Sequence, residues 1–344
     1  MDAARTPRPL GAPGRVAEAQ AQIRPTLILV AVFLMAAAVA GAVPHRTGRW
    51  LPLHLALVGA LVLAVSGATQ FLAVTWGAAP APRRGAVVVQ RWLVVAGAVS
   101  IAVGREARVD PLTGLGGVSV AAGLAVLVVI LAGIGRGAVQ PRVRPAIVAY
   151  LVGSVLGVVG VGLGAVLGSG GGGHLSGRLR DVHETLNLLG LAGFVIAGTL
   201  PFFVATQAKT KASPRSTLAA QLGVQTAMAA GLAVTVAGLL GEWRATAAAG
   251  LALYGASLVF LVTLLPRLGR KQFRWAGPRL VQAGAAIAWW IAAVDLAAAH
   301  ATGGRSPFSG AVVPALVVGG YVQLLVAALS YLGPVIVGGG HERL

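Results

Sequence analysis

The stretch VHETLNLLGLAGFVIAGTLPFF, Val182 to Phe203, opens with a histidine and a glutamate and then runs through apolar and small residues. From residue 186 onward its only polar residues are Asn187 and Thr199. About 20 mainly apolar residues are what an α-helix needs to cross the hydrocarbon core of a bilayer. The stretch therefore predicts a membrane-spanning helix whose first turn lies where the bilayer meets water.

The rest of the chain repeats this pattern of apolar runs separated by short polar breaks. Of its 344 residues, 57% are hydrophobic and only 10% are charged, whereas a soluble domain carries about 25% charged residues. A β-barrel would show alternating segments of about 10 residues, and the sequence has none. These features predict an all-α integral membrane protein.

We expect about ten transmembrane helices, with breaks that carry Pro, Gly and Arg. Residues 1–24 are polar, basic and rich in Pro and Ala, and predict a disordered cytoplasmic tail. A polytopic membrane domain should follow over 25–338, with a short cytoplasmic tail over 339–344. The predicted spans are 26–43, 51–76, 86–104, 112–135, 145–168, 183–206, 217–241, 245–266, 278–299 and 311–337.

The charge pattern indicates the partner of the chain and its orientation. The formal net charge is +18, but Lys and Arg cluster in the connections between spans, so the expected partner is the lipid bilayer and not nucleic acid. With the N-terminus in the cytoplasm, 17 Lys and Arg fall on the cytoplasmic side and 8 outside. This asymmetry predicts a multi-pass protein of the plasma (cytoplasmic) membrane with both termini cytoplasmic.

Because the chain has no cysteine, thiolate metal sites, disulfides and thiol catalysis are excluded. Histidine, carboxylate, tyrosine and backbone groups must carry any chemistry. In the predicted orientation, five of the six histidines fall at or near the outer face: His45, His54, His174, His183 and His300.

Two parts of the chain resemble each other when the sequence is aligned with itself at one fixed offset. The shift brings Gly59 onto Gly190 and Gln90 onto Gln221. The alternative is chance similarity among helices rich in Ala, Gly and Val. We interpret the pattern as a 4+4+2 arrangement of helices, with repeats at about 25–140, 145–270 and 278–338.

The predicted sixth span carries the first candidate site. Positions i, i+4, i+7, i+11 and i+15 of a helix share a face, and here they are His183, Asn187, Gly190, Phe194 and Gly198. The two glycines would let a neighbouring helix or a flat cofactor approach closely. An imidazole there could ligate haem iron or copper, and the alternative is a histidine that caps its helix while the glycines serve packing.

Two further histidines extend this hypothesis. His54 lies about one turn inside the second span, and His300 ends the ninth. A lone histidine at membrane depth is a candidate ligand or proton relay. The sequence thus predicts His54, His183 and Asn187 as cofactor-binding residues and His54, His183 and His300 as metal ligands, and it assigns no catalytic residue.

The residues HETLNLLGLAGFVIAGTLPFF resemble the H-x-H-x-N-x-x-G-x-x-G-x-x-I-x-G-T signature of membrane domains related to haem–copper oxidase subunit I. These include NnrS-like proteins and the multi-span domain fused to actinobacterial multicopper oxidases and copper nitrite reductases. WLPLHLALVGALVLAVSG and QLLVAALSYLGPVIVGGG are similar to further stretches of the last group.

The resemblance implies an oxidase-like ring of three four-helix arcs, here lacking the last two helices. It also implies metal-binding histidines on the second, sixth, seventh and tenth helices. His54 and His183 match two of these positions, Thr185 replaces the second histidine of the signature, and the tenth span carries Tyr321 and Gln323 instead. The resemblance therefore implies one haem or copper and no full dinuclear oxygen-reducing centre.

Three functions fit these features. The first is a redox-linked membrane protein that binds haem or copper near the outer face and is associated with a copper-containing redox enzyme, in copper-dependent nitrite or oxygen reduction or respiratory electron transfer. The second is a small-molecule or ion transporter or permease, although the repeats are parallel and Asp295 is the one clear carboxylate within a span. The third is a non-metallated membrane scaffold subunit.

Overall fold

The computed structural model describes residues 12–337, with side chains described over 14–336. Within this part of the chain all regular structure is helical, and ten helices are long and apolar enough to span a membrane. The predicted all-α class and the number of spans are thus confirmed. The helices are α1 Ala12–Ala42, α2 Trp50–Gly77, α3 Arg84–Glu106, α4 Asp110–Gly137, α5 Pro141–Gly168, α6 Gly173–Gln207, α7 Leu218–Leu240, α8 Arg244–Thr263, α9 Arg270–Thr302 and α10 Val312–Ile336.

Helix α1 begins earlier than the sequence predicts, because residues 12–24 are helical rather than a disordered tail. Polar side chains in this segment bond to backbone carbonyls of other elements. Gln20 Nε2 donates to the Val335 carbonyl at 2.7 Å, and Arg24 Nε donates to that of Ile336 at 3.1 Å. These bonds hold the polar first turns against the end of α10. Residues 1–11 of the predicted N-terminal tail and the whole predicted tail over 339–344 lie outside the described residues.

The surface of the bundle is apolar, as a lipid environment requires. Met35 on α1 is 70% exposed and Val129 on α4 is 71% exposed. Large apolar side chains at this exposure would be costly in water over an extended surface, whereas hydrocarbon accommodates them. The arrangement fits a protein surrounded by lipid.

Helix α6 lies at the centre of the bundle. Its most apolar window is 83% buried, whereas those of the other helices are 28% to 50% buried. It also contributes to two hydrophobic cores. Leu191 and Val195 pack with α1 to α5, and Leu189 and Phe194 pack with α7 to α10. The stretch from Val182 to Phe203 therefore lies in the helix on which both halves of the molecule pack.

We call the end of the bundle formed by the connections α1–α2, α3–α4, α5–α6, α7–α8 and α9–α10 the histidine end. Contacts among the helix ends and connections at this end hold it together. The Arg105 guanidinium lies 5.6 Å from the centre of the Trp50 ring, and Asp181 accepts a hydrogen bond from Ser306 at 2.7 Å. The opposite end, which carries the connections richest in Lys and Arg, is the basic end.

The hairpins α3–α4 and α7–α8 are packed in the same way. A methyl group added at Gly97 would lie 2.6 Å from the Gly116 oxygen, and one added at Gly231 would lie 2.7 Å from the Gly250 oxygen. Gly231 follows Gly97 in the sequence by the same number of residues as Gly250 follows Gly116. Close backbone approach at small residues is a common way for helices to pack in a membrane.

The turns of these two hairpins also correspond. Arg108 and Glu242, separated by that same interval, both adopt a φ of 58°. In each turn the next amide donates to the carbonyl five residues earlier, at 2.7 and 2.8 Å. Gln90 and Gln221 are separated by a different number of residues, so they do not occupy corresponding positions in the two hairpins. Gln90 bonds to Ser66 on α2, whereas Gln221 bonds to Ser216 just before its own helix.

Three of the spanning helices contain a π-helical segment. These segments are Leu55–Leu61 in α2, Leu186–Ala192 in α6 and Ala315–Val322 in α10. The shift that brings Gly59 onto Gly190 also superposes the first residues of the first two segments. A π segment is rare in proteins and occurs frequently at functional sites. Because a π segment occurs in every fourth helix, the residues beside these segments are candidates for a functional site.

Candidate functional site

His54 lies directly before the π segment of α2 and is held in place by its own helix. Its Nδ1 is 2.9 Å from the Trp50 carbonyl oxygen, and its ring stacks on that of Trp50 with centroids 3.8 Å apart. Because a carbonyl oxygen only accepts, Nδ1 carries the proton in this arrangement. Nε2 is therefore left with its lone pair available.

His183 is held in the same way, but by a neighbouring helix. Its Nδ1 lies 2.7 Å from the carbonyl oxygen of Gly160 on α5. A methyl group added at Gly164, one turn further along α5, would lie 2.6 Å from His183 Cε1. The two glycines thus form the groove that receives the imidazole, and Nε2 again keeps its lone pair.

Both imidazoles lie at the histidine end, His54 on α2 and His183 on α6. His54 lies within electrostatic range of the His183 ring and of the Arg105 guanidinium. Both histidines are partly buried, and no described residue bonds to either Nε2. A bond from Nδ1–H to a backbone carbonyl is the usual support of a metal-binding histidine, since it fixes the tautomer and the ring orientation. Each imidazole, taken separately, therefore has the backbone support that is common for a metal-binding histidine.

Asn187 contacts His183 through its side-chain amide nitrogen. Its Nδ2 donates to the His183 carbonyl at 2.7 Å and lies 3.2 Å from His183 Nδ1. A methyl group added at Gly160 would lie 2.7 Å from that same Nδ2. Asn187 thus fills the α5 groove beside the ring, where it acts as a positioning residue.

The glycine face of α6 is filled by α5. Methyl groups added at Gly190 and Gly198 would lie 3.1 Å from Leu156 Cβ and 2.5 Å from Ala149 Cβ. The sequence allowed this face either to pack against a neighbouring helix or to receive a flat cofactor, and the structure shows helix packing. The expected approach of a flat cofactor along it is corrected, because α5 occupies that space.

His300 does not join the other two predicted ligands. Its Nδ1 lies 3.2 Å from Ser309 Oγ in the α9–α10 connection. Among residues 12–337, no group of three or more His, Cys, Asp or Glu side chains is placed to hold a metal ion. The structure therefore does not gather His54, His183 and His300 into one three-residue metal site.

The π segment of α6 is tied down by aromatic residues of the second half of the chain. Tyr254 on α8 donates to the Leu189 carbonyl at 2.8 Å, and Tyr321 on α10 donates to the Leu188 carbonyl at 2.6 Å. Trp290 on α9 packs edge-on against both tyrosine rings. These bonds satisfy carbonyls within the irregular segment and fix α6 just below His183.

Sequence reasoning found the two histidines but missed the residues that hold them. Trp50 precedes His54 by four positions, a spacing that places both on one helix face. Gly160 and Gly164 form a G-x-x-x-G pair, a pattern that favours close helix packing. Both signals can be found in the sequence, but neither identifies the helix that is contacted. That information comes only from the tertiary structure.

Comparison with protein-family models, with curated proteins and with solved structures finds no match to this chain.

Proposed function

We propose that this membrane protein binds a metal ion through His54 and His183 at its histidine end and takes part in electron transfer. The observation that carries the proposal is the shared support of the two imidazoles. Each Nδ1 bonds to a backbone carbonyl, at 2.9 and 2.7 Å, and each Nε2 stays available. Two neutral imidazoles are a donor set that suits copper.

Copper is favoured over haem by the packing around the site. The flat macrocycle of haem would need a wide cleft beside its ligands, and the glycine face of α6 that could have supplied one is filled by α5. A single ion held by two side chains needs no such cleft. When bound, copper would supply one-electron chemistry, while the protein would hold the ligands in orientation and limit the access of water.

The redox partner is proposed from the resemblance of the α6 sequence. That resemblance supports an association with a copper-containing enzyme of nitrite or oxygen reduction, or with respiratory electron transfer. Retention of such an enzyme by the full chain in a pull-down from its own membrane would support this part of the proposal. Loss of the interaction is not expected to abolish metal binding.

We also infer that the chain is built from a four-helix unit that occurs twice and is followed by two further helices. The matched hairpins α3–α4 and α7–α8 support this 4+4+2 arrangement, as do the π segments of α2, α6 and α10. In this arrangement His54 and His183 stand on equivalent helices of the two units but not at equivalent positions. The oxidase-like ring stays a prediction of the resemblance.

Metal analysis of the purified full chain tests the proposal. We expect one copper ion per chain, lost in His54→Ala and in His183→Ala and retained in His300→Ala. Absorption spectra of the same samples should show no Soret band. A stable, folded preparation that takes up no copper would overturn the proposal and favour the non-metallated scaffold.

A further inference from the structure

A cavity of about 470 Å³ opens at the histidine end, between the start of α6, the α7–α8 turn and the α9–α10 connection. Three arginines line it: Arg178, Arg244 and Arg305. They come from three different elements and are brought together only by the fold.

The two acids of this cavity are already engaged. Glu242 forms an ion pair with Arg178, whose guanidinium also donates to the Leu240 carbonyl at 3.1 Å. Asp181 accepts a hydrogen bond from Ser306 at 2.7 Å. Among the described residues, no acidic side chain pairs with Arg244 or Arg305, so the cavity keeps an excess of positive charge.

The backbone around the cavity makes room for these cations. A methyl group at Gly304 would lie 2.7 Å from Arg244 Cζ, and Gly304 has a φ of 71°, which a side chain would strain. The guanidinium therefore rests on a position that only glycine fills easily. Helix α8 begins at Arg244 with no side-chain cap, so its first amides add positive potential to the same cavity.

We propose that this cavity binds a phosphate group, either as a free inorganic anion or as the headgroup of an anionic lipid. A guanidinium offers several N–H donors in a plane that matches phosphate oxygens. Ser306 also lines the cavity, but its hydroxyl already donates to Asp181, so the donors open to a phosphate are the Arg244 and Arg305 guanidinium groups. Neither His54 nor His183 lines this cavity, and the proposed phosphate binding does not depend on a bound metal.

The test uses the full chain in nanodiscs of phosphatidylcholine, titrated with inorganic phosphate by calorimetry. Arg305→Gln and the Arg244→Gln, Arg305→Gln double variant remove the unpaired cations. Arg46→Gln is the matched control, because Arg46 is an exposed arginine of the α1–α2 connection at the same end. Arg305 lies in an exposed connection, so its variant should fold normally.

Saturable phosphate binding that weakens about tenfold or more in the double variant, and not in Arg46→Gln, would support a free anion as ligand. If phosphate does not bind, native mass spectrometry should show retained phosphatidylglycerol that the double variant loses, which would support a lipid headgroup. Absence of both, or binding that Arg46→Gln weakens as much as the double variant does, would overturn the proposal.

Discussion

At the scale of single residues, the decisive feature is which ring nitrogen of each histidine bonds to the backbone. Both Nδ1 atoms bond to backbone carbonyls, and this leaves both Nε2 atoms available to a metal ion. Sequence patterns could identify His54 and His183 because a histidine at membrane depth is conspicuous. They could not assign the tautomers, since those depend on a carbonyl of α5 in one case and on the first turn of α2 in the other.

Asn187→Ala should weaken copper binding without abolishing it. The substitution removes the side chain that packs beside the His183 ring, and loss of such outer support lowers metal affinity about 10–100-fold. A competition titration with a copper chelator measures the change. Thr206→Ala is the control, because it also removes one side-chain hydrogen bond from α6 but lies at the opposite end of that helix. Equal affinities in Asn187→Ala and the unmodified chain would contradict the assigned role.

Gly164→Ala should lower both copper affinity and thermal stability. Its methyl group would lie 2.6 Å from His183 Cε1, and overpacking of this kind costs about 1–3 kcal/mol. Gly162→Ala is a matched control on the same helix, because a methyl group there meets nothing within 4 Å. Thermal unfolding in nanodiscs should separate the two, with Gly162→Ala neutral or slightly stabilising. Similar behaviour of the two variants would show that the α5 groove does not position the ring.

At the scale of elements, the repeated hairpins and the π segments organise the bundle. The hydrophobic periodicity and the Pro, Gly and Arg breaks were enough to predict ten helices, because each span must satisfy its backbone within the bilayer. The π segments carry no comparable signal, and in α6 the segment has carbonyls bonded by Tyr254 and Tyr321 from other helices. The start of α1 was missed for a similar reason, as its polar residues bond to the end of α10.

Gly97→Ala and Gly231→Ala should destabilise the protein by similar amounts. In both positions a methyl group would lie less than 3 Å from the backbone of the partner helix, and we expect a cost of about 1–3 kcal/mol each. Gly85→Ala on α3 and Gly223→Ala on α7 are the controls, because neither methyl group would meet an atom within 4 Å. Thermal unfolding measures all four. A large cost at one hairpin and none at the other would argue against equivalent units.

At the scale of the whole molecule, most Lys and Arg residues lie at one end of the bundle and most histidines at the other, and this asymmetry predicts the orientation in the membrane. The basic end carries most Lys and Arg, whereas the histidine end carries His54, His183 and the arginine-lined cavity. Composition alone could predict a polytopic membrane protein and an orientation. It could not predict that His300 lies apart from the other two histidines, because that depends on how the α9–α10 connection folds against α6.

The orientation makes a direct prediction, since the chain has no cysteine of its own. Ser169→Cys in the α5–α6 connection, an exposed position that keeps the side-chain size, should react with a membrane-impermeant maleimide in intact cells. Ser213→Cys in the α6–α7 connection should react only after the membrane is opened. The reverse pattern of labelling would place the histidine end in the cytoplasm and contradict the positive-inside assignment.

X-ray absorption at the copper edge, on the full chain in nanodiscs loaded with one equivalent of copper, tests the two-histidine site most directly. We predict scattering from two imidazole rings, unchanged in His300→Ala. A spectrum without imidazole scattering, or one whose imidazole contribution falls in His300→Ala, would contradict the site formed by His54 and His183.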